Sequence, residues 1–249
     1  MKKQPRSKSR FGDIYHYTEL KSTMHKAEEL AEKGFGNGIV LADCQTGGYG
    51  RNGSRWVSPD NGNIYASFFE EIDCSPATDF LPQRAAVAVY DTLKEFVPKT
   101  LLYVKWPNDV LIDMKKASGV IAKSVRKENR CFRILGVGIN IFNPVPEKFK
   151  NNWSAVGIRK YSSSADKKNL LPILIKNMDN LFNMSNGKIA RRYVSLVSWM
   201  KNMNTEYTQD GKSFYRGKIS GFNENGSIIK ITKDNELFEF YSVSVVSLW

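Results

Sequence analysis

The stretch Gly47-Gly48-Tyr49-Gly50-Arg51-Asn52-Gly53-Ser54-Arg55-Trp56-Val57-Ser58-Pro59 decides between fold classes. It follows an apolar, strand-like run, Ile39-Val40-Leu41-Ala42. Glycines free the backbone to bend and to converge its N–H groups on an anion. Arg51 and Arg55 add fixed positive charge. Gly48, Gly50 and Gly53 fit G-x-G-x-x-G, with Glu70 and Glu71 at roughly the spacing of a ribose-binding acid. That motif requires a helix directly after the glycines, because the helix N-terminus holds the pyrophosphate. Here Pro59 and Asn61-Gly62 are turn signals and helix breakers. A strand, Asn63 to Phe69, follows them. A doubly wound dinucleotide fold is therefore rejected. The P-loop also fails, because Ser54-Arg55 stand where Lys-Ser/Thr is required. The bland alternative is a glycine-rich hairpin tip with solvated arginines.

Working outward, Lys105-Trp106-Pro107-Asn108-Asp109-Val110 closes the strand-like Leu101–Val104. Pro107 stops the ladder and Asn108-Asp109 make a turn. Lys115-Lys116-Ala117-Ser118-Gly119 and Gly136-Val137-Gly138-Ile139-Asn140 come next. With Ser22-Thr23 and Gln45, these motifs occur in the order found in the catalytic domain of biotin–protein ligases, which residues 12–145 resemble. The remaining chain is compatible with that family's small C-terminal domain.

A coarse pass places strands at Ile14–Tyr17, 101–106, 110–112, 118–125 and 131–141. Ser22 or Thr23 caps a helix running to about Lys33, stopped by Gly34. Pro82 opens a second helix, whose apolar face is Ala86, Val89, Tyr90, Leu93 and Phe96. Two more helices are expected over Leu170–Phe182 and Ile189–Met200. From Tyr207 the texture changes to short strands: Phe214–Phe222, Ser227–Thr232, Leu237–Phe240 and Ser242–Val246. Hairpin turns fall at Asn223–Gly226 and Lys233–Asn235. The expected architecture is α+β. A mixed sheet flanked by helices, of the class II aminoacyl-tRNA synthetase-like type, is followed by a small SH3-like β-barrel. The expected division is 1–10 a basic tail, 11–203 the catalytic domain and 204–249 the β domain.

The 249 residues, 41% of them hydrophobic, suffice for one large domain and a small one. No run approaches a membrane span and no signal-peptide pattern opens the chain. Cys44, Cys74 and Cys131 are odd in number, lack metal spacing and read as free thiols in a reducing cytoplasm. His16 and His25 are the only histidines, so a His-based nucleophile is disfavoured. The net charge is +12. Five basic residues stand in 1–10 without an acid, residues 11–145 are balanced, 146–203 are strongly basic and 204–249 are slightly acidic. The basic start reads as a solvated tail. The basic 146–203 region is a solvated face or an attraction for an acidic protein. A nucleic-acid-binding protein is the rival from another class, and the acidic balance of 204–249 counts against it.

The resemblance implies a chemistry: biotin and ATP give biotinyl-5′-AMP, and a lysine of a biotin carboxyl carrier domain then displaces AMP. Positive charge around a crowded anionic centre, placement and water exclusion are what such steps need. The resemblance assigns Lys116 to the biotin carboxylate and α-phosphate, and Arg51 to the phosphate. Asp109 falls near the incoming amine. Ser22, Thr23, Met24, Gln45, Tyr49, Gly50, Arg51, Lys116 and Gly119 line the biotin site. Gly48, Arg51, Asn108, Lys116, Gly138 and Asn140 serve the adenylate, with Mg²⁺ arriving on ATP and no metal ligands assigned. Lys105 and Trp106 rank lower, as strand-end packing. Gln45 has no competing structural role in the sequence, and Trp56 reads as core. Two positions depart from the family's pattern: Met24 replaces the usual Asn, and Tyr49 an arginine. Weaker retention of biotinyl-adenylate is expected from Tyr49. Only about a dozen residues precede the first expected strand, which leaves no room for the helix-turn-helix domain of family members that repress transcription. A cytoplasmic monomer or homodimer is expected, with no specific nucleic acid and no membrane. A lipoate or octanoate ligase of the same fold is the nearer rival.

Overall fold

The computed structural model describes residues 2–4 (backbone), 9–60, 62–74, 80–142 and 154–249. Among them, eight strands form one sheet in the order β1-β2-β3-β4-β8-β7-β6-β5. These are β1 (Lys2–Gln4), β2 (Ile14–Leu20), β3 (Asn37–Gln45), β4 (Ile64–Ile72), β5 (Leu102–Lys105), β6 (Asp109–Ile112), β7 (Lys115–Lys127) and β8 (Arg130–Ile139). β2 and β3 run parallel, joined by the crossover helix α1 (Thr23–Glu32), and the other pairs are antiparallel.

Both faces of this sheet are covered, so its strands read as nearly continuous apolar runs. Ile39, Leu41, Ile64, Ala66 and Phe68 face one core, while Val40 and Phe69 face the other. On the second side α1 packs through Met24, Ala27, Leu30 and Ala31. On the first lie α2 (Leu81–Leu93), α3 (Lys167–Phe182) and α4 (Asn186–Val197). The sequence gives α2 one apolar face; in the fold it is buried nearly all round. Its two buried charges are matched: Arg84 donates to the carbonyls of Leu181 and Met184, and Asp91 pairs with Lys94 and Arg192.

The chain ends in a five-stranded antiparallel sheet, ordered β12-β11-β10-β9-β13. The strands are β9 (Asn204–Thr208), β10 (Tyr215–Phe222), β11 (Ile229–Lys233), β12 (Glu236–Phe240) and β13 (Ser244–Leu248). β12 and β13 remain its two edges, so no closed barrel is formed. The expected turn at Lys233–Asn235 is present, with positive φ at Asp234 and Asn235 (50° and 66°), as two-residue hairpins require. Tyr207, Ile219, Ile229, Ile231 and Val245 join the core of the large sheet.

Two expectations are corrected. Cys74 and Cys131 are joined by a disulfide, leaving Cys44 as the free thiol among the three. Cys131 sits opposite Ile72 in the β4–β8 ladder, two residues from Cys74, and that register is not visible in the cysteine spacing. Nor is the N-terminus simply a solvated tail. Lys2–Gln4 pairs with Ile14–His16. Ser9 Oγ donates to Asp179 (2.8 Å), and Arg10 pairs with Glu70 (2.9 Å). Residues 5–8 lie outside the described residues. Among the described residues, no helix is long and apolar enough to cross a membrane.

Candidate active site

The 46–58 loop, the N-terminus of α1 and the β5–β8 half of the large sheet enclose a cavity of about 430 Å³. Its floor follows from strand register. Lys105 pairs with Asp109 across the β5–β6 turn, Asp109 with Gly119, and Gly119 with Gly138. Directly paired residues point to the same side of a sheet. The floor therefore carries two charged side chains and then two missing ones. Trp56 fills the gap. A Cβ on Gly138 would stand 2.5 Å from its ring atoms, and one on Gly119 3.1 Å away. Gly136 does the same for Met24, whose sulfur would be 2.9 Å from a Cβ there. These glycines make space by lacking a side chain.

A register shift between β6 and β7 sets Lys116 opposite Leu111 and Ser118 opposite Val110. Such a bulge re-aims side chains. Lys116 Nζ lies 2.7 Å from Asp109 Oδ1 and 5.3 Å from the centre of the Trp56 ring. Lys105 Nζ lies 3.5 Å from Asp109 Oδ2. Burial pushes the Asp109 carboxyl up, but Lys116 and Lys105, with Arg51 behind them, outweigh it and hold it below the usual range. Burial brings Lys105 down to about 8, reinforced by Lys116 and Arg51 and partly offset by Asp109. Burial also lowers the Arg51 guanidinium, against the pull of Asp109. It remains a permanent cation. Asn140 caps the row: its Nδ2 donates to the Lys116 carbonyl (3.2 Å) and its N–H to that of Ala117 (2.8 Å).

The other end of the cavity is uncharged. Ser22 and Thr23 are each 3% exposed at the start of α1. Ser22 is the N-cap residue but makes no side-chain cap bond. Gln45 takes that place, accepting from the Thr23 N–H (2.8 Å) and hydroxyl (3.1 Å) while donating to Ser58 Oγ (2.9 Å). Gln45 thus has a structural role that its sequence position does not disclose.

The loop is tied down at a few points. Trp56 N–H donates to the Gly48 carbonyl (2.9 Å), and Gly50 N–H to that of Ser54 (2.7 Å). Tyr49 packs against His25 of α1, ring centres 5.2 Å apart. Arg51 Nη2 donates to Ser242 Oγ in the connection between β12 and β13 (2.9 Å).

Of the residues singled out in the sequence, Ser22, Thr23, Met24, Gln45, Tyr49, Gly50, Arg51, Asn108, Asp109, Lys116, Gly119, Gly138 and Asn140 all line the cavity. Gly48 does not; a Cβ there would meet the Trp56 carbonyl at 2.6 Å, so it is glycine for packing. Lys105 and Trp56, read as packing and core, line the cavity as well. The buried Trp56 Nε1 has no hydrogen-bond partner among the described residues. Trp106 also borders the cavity but is mainly packing, 1% exposed, its Nε1 donating to the Gly226 carbonyl (2.9 Å). Its peptide bond to Pro107 is cis. Sequence reasoning missed Asp210, Gly211, Ser244 and Val245, which reach the cavity from the small sheet. It also missed Tyr193 of α4, whose hydroxyl donates to the Pro107 carbonyl (2.8 Å).

Comparison with known proteins identifies this mixed-sheet domain as a ligase-type fold. Residues 17–140 match the model of the biotin/lipoate A/B protein ligase family, and the chain belongs to that family. It is 33% identical over 157 residues to the bifunctional ligase/repressor BirA of Bacillus subtilis, covering 62% of this chain and 47% of that one. It is 34% identical over 107 residues to the biotin–[acetyl-CoA-carboxylase] ligase of Mycobacterium tuberculosis, covering 41% and 39%. The match thus spans about half, or less, of these curated relatives. The fold is that of the Aquifex aeolicus biotin protein ligase solved with biotin and ATP, with TM-score 0.73 and 24% identity over 93% of this chain and 98% of that one.

Proposed function

We propose that this protein activates biotin with ATP and transfers the biotinyl group to a lysine of a biotin carboxyl carrier domain. The observation that carries this reading is one cavity with two unlike ends: hydroxyl and amide groups at the start of α1, and Lys116, Lys105 and Arg51 around Asp109. The first end suits the ureido ring of biotin, held by Ser22, Thr23 and Gln45 with Met24, Tyr49, Gly50 and Gly119 around it. The second suits a carboxylate meeting a triphosphate.

In the first step a biotin carboxylate oxygen attacks the α-phosphorus, and the bond to the bridging oxygen breaks, releasing pyrophosphate. Lys116 and Arg51 offset the charge that crowds this centre. In the second step the acceptor amine attacks the acyl carbon, the bond to AMP breaks and the proton lost by the amine passes to solvent. Asp109, paired to two lysines, is a weak base and orients the amine. Asn108, Gly138 and Asn140 support the adenylate, and Gly48 supports the loop that covers it. Mg²⁺ comes with ATP and would neutralise phosphate oxygens; the described residues offer it no cluster of three His, Cys, Asp or Glu side chains.

Residues 11–203 form the catalytic unit and 204–249 an SH3-like module that completes the cavity wall. Dependence on ATP, rather than cysteine usage, supports a cytoplasmic setting. Biotin-dependent ATP–pyrophosphate exchange tests the reading, with lipoate and octanoate run alongside. Exchange with biotin alone is expected, and Arg51→Ala should lower it by about 10²-fold. Exchange with lipoate or octanoate but not biotin would overturn the substrate while keeping the fold.

A further inference from the structure

A second cavity of about 400 Å³ adjoins the first. The two share a wall that includes Met24, Tyr49, Arg51 and Asn108. The outer part of the second is built from residues that do not line the first: Pro82 and Gln83 at the start of α2, Lys123 on β7, and Ser227 and Tyr241 from the small sheet. Its chemistry differs accordingly. Apart from the shared Arg51, its one cation is Lys123, already paired with Glu28 at 2.6 Å. That does not suit a second polyanion. A tyrosine 76% exposed at the rim, with Pro, Gln and Ser beside it, suits a polypeptide.

Resting on the function proposed above, the transfer step needs two spaces at once. A cavity of about 430 Å³ is of the size that one small-molecule ligand fills. With the acyl adenylate in it, the acceptor amine must arrive from elsewhere. The second cavity meets the first at Arg51 and at Asn108, next to Asp109. We propose that this second cavity receives the lysine-bearing segment of the acceptor protein, with Tyr241 and Lys123 as its outer contacts. The small sheet then takes part in choosing the acceptor as well as in walling the first cavity.

The two half-reactions separate the possibilities. The full chain carrying Tyr241→Ala and Lys123→Ala is compared with the unaltered protein. Biotin-dependent ATP–pyrophosphate exchange and transfer to an unbiotinylated carrier domain are both measured. Exchange should be unchanged while KM for the carrier rises about tenfold, as truncated interface contacts do. An unchanged carrier KM with intact exchange overturns the docking mouth alone. Exchange that falls in step with transfer also overturns it, because the two residues would then serve the first cavity. Silence of the unaltered protein with biotin overturns the proposed function and this inference with it.

Discussion

The floor of the cavity and its wall are built by opposite means. The floor is a run of paired strands, β5 to β8, where space is made by deleting side chains at Gly119, Gly136 and Gly138 and refilled by Trp56 and Met24. Its charges face one another across hydrogen-bonded strands and are partly neutralised there. The wall is a loop that supplies charge and aromatic bulk, held by a few hydrogen bonds and by one contact to a different sheet. The floor fixes geometry and the wall delivers groups to it. Substitutions in the floor should therefore disturb packing and chemistry together. Those in the wall should disturb ligand handling with the fold intact.

The largest effect is expected from Lys116→Ala. It removes the cation nearest Asp109, and ATP–pyrophosphate exchange should fall about 10²–10³-fold. Next is Gly138→Ala, which forces a Cβ into Trp56. Overpacking of this kind costs about 1–3 kcal/mol, to be read from denaturant unfolding alongside the loss of exchange. If Gly138→Ala left stability unchanged, the distinction between floor and wall would be lost. Ser242→Ala removes one partner of Arg51 from the wall. About 0.5–1 kcal/mol is at stake, so KM for ATP should change a few-fold and the unfolding free energy should fall by no more than that amount. A further effect concerns pH. Lys105 is held at about 8 against an ordinary 10.5, so between these values the unfolded chain binds the extra proton. The destabilisation from this buried charge is fully present below about pH 8 and is relieved as pH rises towards 10.5. In Lys105→Met the rise of unfolding free energy over that interval should be shallower than in the unaltered protein.

What the sequence discloses divides along similar lines. The floor is legible because its residues belong to short contiguous motifs: a turn at Pro107-Asn108, a Gly119 three places after Lys116, and a Gly136-x-Gly138 pair. The rest depends on encounters across the chain. β9 was missed because Asn204-Thr205-Glu206-Tyr207-Thr208 shows no simple apolar alternation. Thr205 is fully buried all the same, its hydroxyl donating to the Ser247 carbonyl (3.1 Å). The Cys74–Cys131 bond needed the β4–β8 register. Trp56 looks like core in any hydropathy reading, and only the two glycines opposite it reveal a lining residue. Gln45 doubles as a helix cap because β3 ends beside the start of α1, a placement no local pattern encodes. The contributions of Tyr193, Asp210 and Ser244 come from elements that carry none of the motifs.

The bond between Arg51 and Ser242 makes the 46–58 loop and the small sheet partners in one equilibrium. A ligand that draws the guanidinium away from Ser242 takes from the small sheet the same free energy that the sheet withholds from the ligand. Occupancy of the cavity and seating of the C-terminal sheet are then reciprocal. A substitution far out on β12 or β13 that loosens the sheet's seating would tighten anion binding at Arg51, without touching the site.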